Sequence, residues 1–69
     1  MAELPLAPVK RMLKQAGNER VSEGAVEALR DEVEERALEL AERSREYARH
    51  ASRKTVQRED VMAARRDRR

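Results

Sequence analysis

From Ser22 to Ser52 the chain reads SEGAVEALRDEVEERALELAERSREYARHAS. Val26, Leu29, Val33, Ala37, Leu40, Ser44, Tyr47 and Ala51 recur every three or four positions, the signature of one apolar or small stripe on an α-helix. Ser22 supplies an N-cap oxygen and Glu23 a negative charge in the first turn. Gly24 weakens that turn slightly, and no other breaker follows until about Ser52. A helix of about 28–30 residues spans roughly 42–45 Å.

Outward from it, two shorter helices are expected. One runs from about Pro5 to Ala16, with Pro5 or Pro8 in its first turn, where a missing N–H is harmless. Leu6, Val9, Met12, Leu13 and Ala16 give it an apolar face; Lys10, Arg11 and Lys14 lie opposite, and Gly17-Asn18 ends it. The other follows Ser52-Arg53-Lys54-Thr55, with Thr55 expected as its N-cap and Val56, Val61, Met62 and Ala64 as its apolar residues. The end of the chain, residues 66–69, is expected to fray as a basic tail. The fold class is therefore all-α: short helix, long central helix, short helix, in one domain over 1–69.

Two short helices cannot cover a stripe about 45 Å long. The 69 residues hold 27 apolar positions, of which eleven are Ala, and Phe, Trp and Ile are absent. A core so poor in bulk is marginal alone, and a second copy crossing the long helix near its middle resolves both shortages. Val26, Leu29, Val33, Ala37, Leu40 and Ala41 are the expected dimer core, and small residues at the midpoint permit close approach.

Composition also excludes. The absence of Cys removes disulfides, thiolate metal sites and thiol catalysis; a single His removes a multi-histidine site within one chain. No apolar run approaches the length of a membrane span, and the first residues lack the basic and apolar stretches of a signal peptide. No cofactor, metal, membrane or small-molecule substrate is expected, and the chain is expected in the cytoplasm. The net charge of +2 hides a division: residues 1–20 carry +2, residues 21–50 carry −4 and residues 51–69 carry +4. Both flanks are basic, as a polyanion would require. Tyr47 is the only aromatic residue, too few for stacking on single-stranded bases. The carboxylates Glu32, Glu34 and Glu35 point in different directions on a helix and read as a solvated face. His50 lacks the surroundings of a general base.

Glu3-Leu-Pro-Leu-Ala-Pro-Val9, Gly17-Asn-Glu-Arg-Val-Ser22 and Ala48-Arg-His-Ala-Ser-Arg-Lys-Thr-Val56, followed by Glu59-Asp60-Val61, resemble the start, first loop, second loop and third-helix entry of the archaeal histones. The resemblance covers essentially the whole chain. It implies the histone fold: a handshake dimer in which the first loop of one chain lies beside the second loop of the other. It implies that Arg20 enters the DNA minor groove, that Thr55 holds that arginine across the dimer, and that Lys54 contacts phosphate. Arg11 and Lys14 match basic positions near the DNA backbone. Arg53 and Asp60 match a pair that braces the second loop, and Tyr47, His50 and Asp60 lie where family dimers meet. Departures from the family pattern are Lys10 in place of a small residue, Gly24, Arg36 in place of an apolar residue near the dimer crossing, and Tyr47 and Ala63 in place of aliphatic residues. Arg36 must snorkel there or pair with a carboxylate such as Glu32 or Glu39.

The implied function is binding of double-stranded DNA with little sequence preference, with bending or wrapping, by a homodimer that stacks into tetramers or longer assemblies on the chromosome. Two alternatives stay open: a histone dimer that coats or locally bends DNA without stacking, and a histone-fold module that binds a protein and not DNA.

Overall fold

A computed structural model describes residues 3–67. Three α-helices run in order: α1, Leu6–Gln15; α2, Glu23–His50; and α3, Arg58–Arg66. No β-strand occurs among the described residues, and no helix among them is long and apolar enough to cross a membrane.

α2 starts where the Ser22 hydroxyl accepts the Ala25 N–H at 3.1 Å, a side-chain N-cap. It ends at His50, two residues before Ser52, in a Schellman turn: the Ser52 N–H donates to the Arg49 carbonyl and the Arg53 N–H to the Ala48 carbonyl, both at 2.9 Å. Pro5 stands at the N-cap of α1 without a side-chain bond.

The expected N-cap of α3 is corrected. Thr55 lies in the loop, and α3 opens two residues later, at Gln57. The Gln57 N–H donates to Asp60 Oδ2 at 2.8 Å, the return half of a capping box. Asp60, three residues on, outcompetes a Thr55 cap because its carboxylate also binds Arg53. α3 continues through Arg66, the first residue of the expected tail; Arg68 and Arg69 lie outside the described residues.

The backbone forms two compact units, residues 1–35 and 36–69. The first buries Val9 of α1 and Val26 of α2. The segment ahead of α1 is tied to α2: the amides of Glu3 and Leu4 donate to Glu34 Oε1, and Arg30 reaches the Leu4 carbonyl at 3.5 Å. Glu34 is thus a structural acceptor and not part of a solvated face. The Leu4 amide, then that of Glu3, holds its carboxyl below the ordinary value against the opposing effect of partial burial.

The second unit buries Ser44 and Ala48 of α2 with Asp60 and Ala64 of α3. Ser44 keeps its hydroxyl satisfied by donating to the Leu40 carbonyl at 2.6 Å. Arg43 binds the Asp67 carbonyl and, at 3.7 Å, its carboxylate, tying the end of α3 to α2.

Of the expected dimer core, Val26 is buried within the chain, and Leu29 and Leu40 are half-buried. Val33 is 42% exposed, and Ala37 and Ala41 are exposed. The middle of the stripe is therefore open. Arg36, beside it, reaches Glu39 at 3.4 Å, one of the two acids expected to pair with it.

Candidate nucleic-acid interface

α1 hands over to the first loop at Gly17, whose φ of +101° belongs to glycine alone. The Gly17 N–H donates to the Lys14 carbonyl at 3.0 Å, and the Asn18 side-chain amide donates to the Leu13 carbonyl at 2.8 Å. These bonds satisfy the end of α1 and leave residues 18–22 to run to the Ser22 cap. Arg20 sits in this run, exposed. Arg11 and Lys14, three positions apart on α1, are exposed as well.

The second loop turns at Ser52, with φ of +57°. Arg53 then folds back. Its Nη1 donates to Asp60 Oδ2 at 2.7 Å and its Nη2 to Asp60 Oδ1 at 2.8 Å, a bidentate charge-assisted pair. Nη1 also approaches the Thr55 carbonyl at 3.3 Å. Asp60 is only 3% exposed. The Arg53 guanidinium, helped by the Gln57 N–H, pulls its carboxyl down to about 2, against the opposing effect of burial. Arg53 is raised in turn by the same pair. The brace holds the loop, and Lys54 and Thr55 stand exposed on it.

Arg53, the Thr55 carbonyl and Asp60 are thus brought together. Arg20 and Thr55 belong to different units of the chain. Tyr47 is part-exposed on α2, and His50, the last residue of α2, is exposed; neither bonds to Asp60 within the chain. Among the described residues, Arg11, Lys14, Arg20 and Lys54 take part in no ion pair, whereas Arg30, Arg36, Arg43 and Arg53 each do. Glu34 and Arg43 are anchors that sequence reading misses. Their partners stand about 24–31 positions away, and no local spacing marks them.

Residues 2–64 match the family described as "Histone-like transcription factor (CBF/NF-Y) and archaeal histone". The chain belongs to the archaeal histone family. It is 55% identical over 64 residues to the archaeal histone HAN1 of Thermococcus zilligii, covering 93% of this chain and 96% of the relative. It is 56% identical over 64 residues to the probable archaeal histone 3 of Methanocaldococcus jannaschii, with the same shares covered. The three helices are accordingly a histone fold, the fold of handshake dimers. Archaeal histones are DNA-binding proteins of chromatin, and the family is not enzymatic.

Proposed function

We propose that this histone works as a homodimer that binds duplex DNA with little sequence preference and bends or wraps it along the chromosome in the cytoplasm. The observation that carries the reading is the set of exposed cations, Arg11, Lys14, Arg20 and Lys54, left outside every ion pair on α1 and on two loops with fixed turns. A cation with no partner in the protein keeps its full attraction for phosphate, and a fixed loop loses little freedom when the phosphate arrives. Arg20, on a loop with one guanidinium to extend, suits a narrow minor groove, where potential and width are read and base identity is not. Thr55, on the second loop, is the group assigned to hold that arginine across the dimer.

Titration with a random-sequence duplex at several salt concentrations tests this. Log affinity should fall linearly with log salt, by about 0.9 per phosphate neutralised. Arg20→Ala should weaken affinity or DNA bending and leave helical content unchanged. Unchanged bending would remove Arg20 from the interface. No complex at low salt would overturn DNA binding altogether and favour a protein-interaction module.

A second reading, dimers that coat DNA without stacking, draws on Asp60. Stacking through Tyr47, His50 and Asp60 needs Asp60 to accept from a neighbouring dimer, yet its carboxylate already accepts two bonds from Arg53 and one from Gln57. Of about four acceptor positions on a carboxylate, one is left. Nuclease digestion of the complexes separates the readings: protected lengths rising in regular steps mean stacking, and a featureless smear means coating.

A further inference from the structure

Charge is polarised along one edge of α2. At 100° per residue, Glu23, Glu27 and Asp31 stand one turn apart on that edge in the first half of the helix. Arg45 follows Glu27 by 18 positions, about five turns, and Arg49 lies one turn further. The two arginines thus hold the same edge in the second half. All five side chains are exposed. Asp31 is paired with its neighbour Arg30; the other four are in no ion pair among the described residues.

Two clefts repeat the division. In residues 1–35, a cleft of about 230 Å³ is lined by Val21 and Val26 with Glu23 and Glu27, and by Lys10 and Leu6. In residues 36–69, a cleft of about 360 Å³ is lined by Ala48 and Val56 with Arg45, Arg49, Arg53 and Lys54, and by no carboxylate. Each has an apolar wall and a rim of predominantly one charge, and the two signs are opposite.

The open stripe from Val33 to Ala41 is centred on Ala37. Two chains that bury it against each other pair α2 with α2. A parallel pair would set the acidic first halves side by side. An antiparallel pair about a two-fold axis sets each acidic half beside the partner's arginines and keeps like edges on one side. With Ala37 at the axis, Val33 lies level with the partner's Ala41. The partner's Arg45 then falls level with Leu29, between Glu27 and Asp31. The partner's Arg49 falls level with Ala25, between Glu23 and Glu27.

We propose that Glu23 and Glu27 of each protomer pair with Arg45 and Arg49 of the partner, so that the edge of α2 selects a second copy of this chain. This rests on the dimer reading above and is independent of DNA. The symmetry makes every pair occur twice. A related chain without the two acids would leave four arginine side chains unmatched, which disfavours mixed pairs.

Charge reversal tests it without DNA. Glu27→Arg alone and Arg45→Glu alone each place like charges at both symmetry-related positions, and each should weaken its homodimer about tenfold. Mixed together, the two variant chains form a heterodimer in which both positions carry opposite charges. Native mass spectrometry of the equimolar mixture should show about nine-tenths heterodimer, the share that follows from those two tenfold losses, against one half for random pairing. If one variant fails to fold alone, the mixture should restore its helical circular dichroism. A heterodimer share of one half, or no rescue on mixing, overturns the selection by this edge while wild-type chains still dimerise. Wild-type chains that stay monomeric overturn the dimer beneath it.

Discussion

Between α1 and α2 the chain turns on Gly17 at φ +101°, and the turn is closed by neutral hydrogen bonds from Gly17 and Asn18. Between α2 and α3 it turns on Ser52, a residue with a side chain, at φ +57°, and the loop is closed by an ion pair sunk beneath it. Glycine reaches its conformation without steric penalty, so the first loop needs no further support. Serine in the left-handed region is strained, and the second loop offsets the strain with the Arg53–Asp60 pair. One loop is shaped by backbone freedom and the other by charge.

The largest test of that contrast is Asp60→Ala. It leaves the Arg53 guanidinium and the Gln57 N–H without their acceptor. The melting temperature, taken at fixed protein concentration, should fall by roughly 10 °C or more. A drop of only one or two degrees would mean that the brace is ornamental.

Acidity should divide the loops next. The Asp60 carboxyl is depressed from 3.8 to about 2 in the fold, first by Arg53 and then by the Gln57 amide. A depressed carboxyl contributes stability that is complete above about pH 4 and is lost as pH falls through about 2. The Gly17–Asn18 turn contains no titrating group. Between about pH 5 and pH 2, amide exchange should quicken at Gln57 and Asp60 well before it changes at Gly17. Asp60→Asn should abolish the difference; equal quickening in both loops would show that acid acts globally.

The glycine and the serine make the smallest and sharpest pair. A Cβ at Gly17 meets nothing within 4 Å, so Gly17→Ala is opposed by φ alone, at about 1–2 kcal/mol. Ser52→Gly should stabilise by about 0.5–1 kcal/mol, since glycine is the preferred residue at this position of a Schellman turn. Denaturant midpoints at constant slope would measure both. Two changes of the same sign would contradict the opposite origins assigned to the turns.

Much of this fold is legible in the chain itself. The stripe from Val26 to Ala51 and the Ser22 cap place α2 within two residues at its far end, because helical periodicity is strong over so many turns. The start of the third helix is not legible in the same way. Threonine is a commoner N-cap than glutamine, but the position is set by Asp60 reaching back to Gln57 while holding Arg53. That choice depends on a side chain with two partners, which spacing alone does not rank. Glu34 looks solvated in the sequence for a related reason: its partners are the backbone amides of Glu3 and Leu4, and a backbone amide has no residue type to recognise. The cationic groups are visible by type; which of them stay unpaired becomes visible only once Arg30, Arg36, Arg43 and Arg53 are seen to be occupied.

Asp60 serves three masters at once: both nitrogens of one guanidinium and the amide that begins a helix. The bend and the first turn of α3 therefore share a hinge pin. Neither can slacken by itself, and opening of this corner proceeds as one concerted event.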